Sequence, residues 1–349
     1  MLRKSVGCLA ACASLALVAA SATANVAAEY RLSGPVVHEN LAIYFVHGAP
    51  ASGPVPLTLE EALAKNTVQM RETGDVNRLE VENVGNDEVF VQSGDIVKGG
   101  QQDRVLTVSL LLPPHSGRIP IAAFCVEQGR WFARGNEDAR RFSTAAASIP
   151  TRDAKIAMKA PAATLTGGGG TARAYGDTGT RQQEMWRNVA KIQDKLSRGV
   201  GAPVAAAQSQ TSLQLALENE KVKAAQAAYI EALQAAGEKD ADVVGYVFAI
   251  NGKINSAEIY PSNGLFRKMW RKLLSANATE AIAERNAASD ALPSIDAVGA
   301  FLDAAETGNS TEKKLTDLVR LETREADRVY YFETKRADGR WLHRNYLAK

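Results

Sequence analysis

The chain has 349 residues, of which 46% are hydrophobic and 23% are charged. These proportions are ordinary for a globular protein and exclude a collagen, a coiled-coil rod and a wholly disordered chain. There are 41 Lys and Arg against 39 Asp and Glu, and two of the basic residues, Arg3 and Lys4, are the only charged ones among the first 24 positions. The rest of the chain is therefore neutral, which argues against a nucleic-acid partner, because such proteins carry a net basic surface.

The first 24 residues have the composition of an export signal. The basic pair precedes an apolar stretch, and Ala22-Thr23-Ala24 matches the A-x-A pattern of a cleavage site. This order predicts a signal peptide over residues 1–24, cut between Ala24 and Asn25. The apolar stretch is short for a membrane span, so a retained anchor and lipoprotein processing at Cys12 are the less favoured alternatives. We expect a periplasmic or extracellular protein with no membrane span after cleavage.

Cysteine and histidine are too scarce to suggest a metal or a disulfide. Cys8 and Cys12 lie in the predicted signal, so only Cys125 is left, and one cysteine forms no internal disulfide. Four scattered histidines beside it show no metal-ligand spacing. We therefore predict no metal and no cofactor, and we interpret Cys125 as a small core residue.

Residues 25–145 are predicted to form a β-rich domain. Apolar or alternating runs recur about every ten residues between turn signals, as in an antiparallel sandwich or barrel. One short helix is predicted over Leu57–Lys65, because Thr58 followed by Glu61 forms a capping box. The predicted strands are Leu41–Val46, Arg78–Val84, Glu88–Gln92, Val105–Leu112 and Ile119–Glu127.

The composition changes at residue 146. Ala, Thr, Pro and Gly dominate residues 146–179, which predicts a flexible loop or linker. Residues 180–349 are predicted to be α-rich, with strands near 242–260 and 329–346. The fold class is α+β: an antiparallel β-sandwich- or barrel-like N-terminal part, and a mainly helical C-terminal part that adds a β-hairpin. Since strands near 241–260 can join the first sheet, the two parts are either separate or one unit.

The helices expected in the C-terminal part follow from apolar periodicity. Two helices are predicted over residues 180–237, the second ending at Gly237 as its C-cap. Another begins after Ser262 or Asn263 and carries an apolar stripe, with a basic face that we interpret as solvated. A further short helix is expected over residues 293–306.

Two segments interrupt the strand pattern with a dense set of hydrogen-bonding side chains. They are residues 94–104 and residues 125–131. The period of two along the second strand places Glu127 on a core face, where a carboxylate must be paired or line a cavity. Arg104 and Arg130 are the obvious counter-ions. Paired glycines at positions 99 and 100 permit a close backbone approach or a positive φ.

These segments resemble the ARG-and-rhodanese-phosphatase-superfamily-associated protein domain. The matching patterns are Gly-acidic-x-x-x-Gly-Gly-x-Gln-x-Arg at 94–104, Cys-x-Glu-x-Gly-Arg-Trp at 125–131 and Phe-Arg-Lys-x-Trp at 266–270. The resemblance covers roughly residues 35–285. The family name records genomic association with ADP-ribosylglycohydrolase-like and phosphatase-like domains, so the resemblance implies nucleotide-derived ligands. This chain departs from the family pattern in its predicted export, and export argues against an intracellular role with nucleotides.

Three functions are compatible with the two segments. The first is a pocket for a small anionic or amide-bearing ligand, nucleotide-derived ligands included. The second is a hydrolase or transferase acting on an ADP-ribose-like or phosphorylated compound, with Glu127 as catalytic general base. The third is an envelope scaffold, bound to a protein partner and without a small-molecule ligand, in which a buried ion pair holds the strand ends. The predicted ligand-binding residues are Lys98, Gln101, Gln102, Asp103, Arg104, Arg130 and Trp131.

Overall fold

The computed structural model describes residues 29–49, 51–133, 140–159, 178–285 and 287–349. The predicted signal peptide with its cleavage site lies outside the described residues, as does the glycine run at 167–170. Within this part of the chain, seven α-helices and three sheets confirm the predicted α+β class.

The strands are concentrated in the first third of the chain and near its C-terminus. They are β1 (Arg31–His38), β2 (Leu41–His47), β3 (Leu57–Thr58), β4 (Val68–Glu72), β5 (Arg78–Asn83), β6 (Val89–Val91), β7 (Ile96–Gly99), β8 (Arg104–Leu106), β9 (Leu110–Leu112), β10 (Gly117–Cys125), β11 (Phe142–Thr144), β12 (Val243–Ile250), β13 (Lys253–Ile259), β14 (Asn309–Lys314), β15 (Val319–Glu325), β16 (Val329–Arg336) and β17 (Trp341–Ala348).

The helices lie mostly between β11 and β14. They are α1 (Leu59–Ala64), α2 (Arg152–Lys159), α3 (Thr178–Gly199), α4 (Leu213–Leu217), α5 (Glu220–Glu238), α6 (Asn263–Ala283) and α7 (Ile295–Asp303), the last followed by a 3₁₀ turn at Ala304–Thr307.

The largest sheet joins the two ends of the chain. Its eight strands run in the order β1-β2-β12-β13-β17-β16-β15-β14, and every neighbouring pair is antiparallel. β12 is buried along its whole length, which explains its continuous apolar sequence. One of its faces, with Tyr246 and Phe248, packs on the α6 side, and the other, with Val247 and Ala249, packs on the α7 side.

Two smaller sheets hold the other strands of the N-terminal β-rich segment, β3 to β11. The six-stranded sheet has the order β11-β7-β8-β10-β5-β4, and the three-stranded sheet has the order β3-β6-β9. The predicted single strand Val105–Leu112 is wrong, because β8 and β9 belong to different sheets and residues 107–109 turn the chain between them. The predicted strand Ile119–Glu127 ends earlier, at Cys125.

Helix capping follows the local sequence closely. At α1 the capping box of Thr58 and Glu61 is confirmed in both directions. Ser262 is the N-cap of α6, its hydroxyl accepting from the N–H of Leu265. These caps involve residues within three positions of each other, so their formation needs no long-range contact.

Gly237 has a different role from the predicted C-cap. It lies inside α5, and a Cβ at this position would come 2.4 Å from Nε1 of Trp270 on α6. That indole donates a hydrogen bond of 2.9 Å to the carbonyl of Gln234. Glycine is therefore required by the close packing of α5 on α6 and not by the helix end.

Four other expectations differ from the structure. Residues 180–237 contain three helices instead of two. Arg152–Lys159, inside the predicted loop of 146–179, form α2, because Ala-rich sequence is also a good helix former. The hairpin of β14 and β15 was not expected, since β14 is polar and exposed throughout and shows no alternation. Lys272, on the predicted solvated face of α6, is buried and pairs with Asp95 at 2.8 Å.

Candidate functional site

Strand pairing brings the two predicted segments side by side. β7 and β8 form an antiparallel pair joined by residues 100–103, and β8 pairs with β10 so that Arg104 lies opposite Cys125. The N–H of Val126 donates to the carbonyl of Asp103 at 3.2 Å. We call the side chains of residues 94–104 and 125–131, with their partners, the polar cluster.

Gly99 makes this arrangement sterically possible. Its φ is +113°, and a Cβ there would come 2.2 Å from the carbonyl oxygen of Arg141. A larger residue would therefore be both strained and in collision with the backbone of the neighbouring strand β11. The expected close backbone approach at this glycine is confirmed.

Arg104 is fully buried, and its guanidinium is bound on three sides. Nε donates to the carbonyl of Val76 at 3.0 Å, and Nη1 donates to the carbonyl of Gln102 at 2.9 Å. Nη2 donates to Oε2 of Glu72 at 3.2 Å. The planar fork of arginine suits this set of acceptors, and it ties the end of β4 to the turn before β8.

Arg130 is bound in a similar way by the second segment. Its Nε donates to Oε2 of Glu127 at 2.6 Å, and Nη1 donates to the carbonyl of Phe132 at 2.6 Å. Its Nη2 lies 3.6 Å from Oδ1 of Asp103. Glu127 and Asp103 are both fully buried, so these are ion pairs of the protein interior.

The other predicted residues contribute differently. Lys98 forms an ion pair with Glu218, just after α4, and so points to the helical part of the chain. Burial would raise the pKa of Glu218, but its hydrogen bonds to Lys98 and Gln214 outweigh this and lower it. Gln101 donates its backbone N–H to Glu72 at 2.7 Å.

Gln102 and Trp131 have features that suit ligand contact. The side chain of Gln102 is buried, with 4% of the residue exposed, and its Oε1 accepts no hydrogen bond from the described residues. Trp131 is 38% exposed, and its ring lies over the Arg104 guanidinium at 5.3 Å from the centroid. Both residues therefore contact the same buried arginine.

Cys125 is a buried residue of β10, as interpreted from the sequence. Burial raises the pKa of its thiol to about 11, with Arg104 pulling in the opposite direction. At neutral pH almost none of this thiol is ionised, and the thiolate is the nucleophilic form. The structure therefore assigns Cys125 no nucleophilic role.

A second buried polar array lies between the large sheet and β9, and the sequence did not suggest it. Oγ of Ser109 and Nδ1 of His343 are 3.0 Å apart, and Nε2 of His343 lies 2.6 Å from Oε2 of Glu258. Nζ of Lys155 is 3.8 Å from the other oxygen of Glu258. Burial would raise the pKa of Glu258, but His343 and Lys155 outweigh it and lower that pKa. All four residues are buried, and none of them lines either of the two clefts described below.

Sequence reasoning missed this array because its members come from distant elements. Ser109 and His343 are 234 positions apart, and no spacing signal connects them. The local hint was Glu258 between Ala257 and Ile259, and His343 directly after Leu342, because a polar side chain among apolar neighbours in a strand needs a partner if it is buried.

Two of the clefts on the described surface are large enough for a small molecule. The first, of about 320 Å³, is walled by aromatic rings including Phe90, Tyr260 and Trp341. The second, of about 360 Å³, is lined mainly by charged and amide side chains. Among the described residues, none of the predicted ligand-binding set lines either cleft.

The described ranges contain neither a metal-binding cluster nor a membrane-spanning helix. No group of three or more His, Cys, Asp or Glu side chains is placed there to hold a metal ion. No helix among the same residues has the length and apolar character that crossing a membrane requires.

Comparison with known proteins gives one match. The model of a family described as "ARG and Rhodanese-Phosphatase-superfamily-associated Protein domain" matches residues 29–347. The match extends beyond the 35–285 covered by the sequence motifs, and it includes the strands of both chain ends. No curated relative and no solved structure matches the sequence.

Proposed function

The chain belongs to the ARG and Rhodanese-Phosphatase-superfamily-associated Protein domain family, and from this premise and the geometry of the polar cluster we propose that it binds a small amide-bearing or anionic ligand. The proposed site is the edge of the cluster at Gln102 and Trp131. Nucleotide-derived compounds are the ligand class that the family's name suggests.

The observation that carries the proposal is the buried amide oxygen of Gln102. It accepts no hydrogen bond from the part of the chain that the structure describes, and a buried acceptor without a partner costs free energy. A ligand N–H group would remove that cost. Trp131, whose ring lies over the Arg104 guanidinium, is 38% exposed, and the next residue, Phe132, is 68% exposed, so both offer ring surface for a planar ligand.

The paired charges favour an amide-bearing ligand over an anionic one. Arg104 is held by Glu72, and Arg130 is held by Glu127 and Asp103. An anion would have to displace one of these carboxylates from a buried guanidinium. We infer that the arginines position Trp131 and the turn, while uncharged groups contact the ligand.

Binding is tested by titration calorimetry with ADP-ribose, ADP, nicotinamide and N-acetylglucosamine as probes. For a probe that binds, Gln102→Leu and Trp131→Ala should each weaken binding by about tenfold, the equivalent of one lost hydrogen bond or stacking contact. Gln208→Ala, at an exposed glutamine outside the cluster, is the matched control and should leave the affinity unchanged. Unchanged affinity in both cluster variants would refute the proposed site.

The full pairing of the two arginines favours a second candidate, a structural role in an envelope scaffold. In that case the cluster only holds the ends of β4, β8 and β10 together, and no probe binds. The unfolding experiment described in the Discussion measures this contribution. Glu127 as general base has no comparable support, because its Oε2 is held by Arg130 at 2.6 Å.

Export is also proposed, on the sequence pattern of residues 1–24. When the gene is expressed in a bacterium with intact secretion, we expect the periplasmic or extracellular protein to begin at Asn25. The mass of the intact secreted protein tests this. Retention of the first 24 residues would contradict cleavage at Ala24.

A further inference from the structure

The second cleft lies where three helices and a hairpin meet. It is bounded by the start of α2, the second half of α3, the turn between β12 and β13, and the end of α6. Its volume of about 360 Å³ falls in the range of roughly 300–1,000 Å³ that is usual for small-molecule sites. It takes no part in the function proposed above.

Glu280 on α6 contributes a buried carboxylate to this cleft. The residue is 6% exposed, and its Oε1 accepts the backbone N–H of Arg152 at 2.9 Å. Its Oε2 accepts no hydrogen bond from the described residues. Burial raises the pKa of Glu280, although the Arg152 N–H, Lys155 and Asn255 act against the shift.

Asn251 presents a second buried acceptor to the same cleft. It is 6% exposed and lies in the turn between β12 and β13, where its Nδ2 donates to the carbonyl of Glu284 at 3.0 Å. Its Oδ1 has no hydrogen-bond partner among the described residues. Two buried acceptors in one cleft call for a ligand group rich in donors, and an ammonium has three donors and no acceptor.

Basic side chains line the remainder of the cleft. They are Arg152, Lys191, Lys195 and Lys253, against the acidic Asp153, Glu280 and Glu284. Lys191 pairs with Asp153 at 2.7 Å, and Lys195 pairs with Glu284. Nε of Arg152 has no hydrogen-bond partner among the described residues, and its Nη2 lies 3.9 Å from Oδ1 of Asp153. The four basic and three acidic side chains of the lining nearly cancel in charge. This balance disfavours a polyanion and favours a ligand that carries one charge of each sign.

We propose that this cleft binds a free α-amino acid, with the ammonium group against Glu280 and Asn251 and the carboxylate against Arg152. Charge-assisted hydrogen bonds at both ends of the ligand would fix its orientation. A neutral polyol also supplies donors, but it would leave the basic side of the cleft without a matching charge.

The test is titration calorimetry of the purified protein with the proteinogenic amino acids. For an amino acid that binds, its decarboxylated amine and its deaminated acid should each bind on the order of tenfold more weakly, because each lacks one charged contact. Glu280→Gln, which preserves the shape of the side chain, and Arg152→Gln should weaken binding by a similar factor. Glu231→Gln, at an exposed carboxylate of α5, is the matched control and should have no effect.

Three results would overturn the inference. They are the absence of binding by every amino acid at millimolar concentration, unchanged affinity in both Glu280→Gln and Arg152→Gln, and equal binding of mannitol as a neutral polyol. Circular dichroism of each variant checks folding. If one variant is unfolded, the other and the ligand analogues still decide the result.

Discussion

The polar cluster and the second cleft contain the same kinds of residue but differ in whether their buried charged side chains are fully paired within the protein. In the cluster, Arg104 and Arg130 are each bound by carboxylates of the chain itself. In the cleft, Glu280 is buried, and one of its oxygens accepts no hydrogen bond from any residue that the structure describes. The first arrangement joins Glu72, at the end of β4, to Arg104 on β8, three strands away in the sheet order, and it joins Glu127 to Arg130 within one short segment after β10. The second arises where helices and a hairpin meet and leave space between them.

This difference shows that a dense set of charged residues does not by itself identify a binding site. A charge already paired inside the protein stabilises the fold, and removing its partner is costly. A buried polar group without a partner destabilises the fold and is retained where it serves another purpose. The sign of a mutation's effect on stability therefore separates the two regions.

The largest expected effect is in the cluster. Arg104→Ala should lower the free energy of unfolding by about 3–5 kcal/mol, because it removes a fully buried guanidinium and leaves the partly buried Glu72 and the carbonyls of Val76 and Gln102 without their donor. Urea denaturation measures this. Arg320→Ala, which breaks the solvent-exposed pair with Glu312, is the control and should change the value by less than about 1 kcal/mol. A loss for Arg104→Ala no larger than the control's would remove the distinction between the regions.

The accessibility of Cys125 sharpens the same comparison. Because burial raises the pKa of this thiol to about 11, iodoacetamide at neutral pH should alkylate it at least ~100-fold more slowly than a free cysteine. The rate in the folded protein should increase as the pH is raised toward 11, and unfolding in urea should restore ordinary reactivity. Mass spectrometry of quenched samples follows the reaction. Rapid labelling of the folded protein at pH 7 would show that the cluster is open.

The smallest expected effect is in the cleft and has the opposite sign. Glu280→Gln should raise the free energy of unfolding at neutral pH by about 1 kcal/mol, because it removes a buried carboxylate one oxygen of which has no partner in the described part of the chain. The groups that face this carboxylate are Arg152, Lys155 and Asn255.

The pH dependence of that effect follows from the raised pKa of Glu280. Since the folded state holds the proton more tightly than the unfolded state, ionisation costs stability only above the unfolded pKa, near 4.5. The difference between Glu280→Gln and the natural protein should thus vanish near pH 4 and grow as the pH rises through the folded pKa. Urea denaturation between pH 4 and pH 8 measures it. If Glu280→Gln is less stable than the natural protein at neutral pH, Glu280 stabilises the fold as the paired charges of the cluster do, and the expected difference between the two regions is wrong.

Local sequence predicted much of the fold because the responsible contacts are short. The capping box of Thr58 and Glu61, the N-cap Ser262 and the hairpin turn at Asn251-Gly252 all form between near neighbours. The break of Val105–Leu112 into two strands was not predictable in this way. All eight residues suit a strand, and only the separate sheets of β8 and β9 decide where the chain turns.

The candidate site was predicted in part for the same reason. Glu127 and Arg130 are three positions apart, so their pairing is visible in the sequence. The partner of Arg104 was not, because Glu72 lies 32 positions earlier, at the end of another strand. Glu280 gave no signal at all, since a glutamate in an Ala-rich helix has the pattern of a solvated surface residue.

The sequence by itself determined the α+β class, the family, the helix caps and the pairs of residues that lie within a few positions of each other. Each of these depends on local hydrogen bonds, on periodicity or on a motif of fixed spacing. Only the tertiary structure decided which charges are paired and which acceptors have no partner, because both depend on strand register and helix packing between distant segments. The same physical cause separates the paired arginines of the cluster from the buried carboxylate of the cleft.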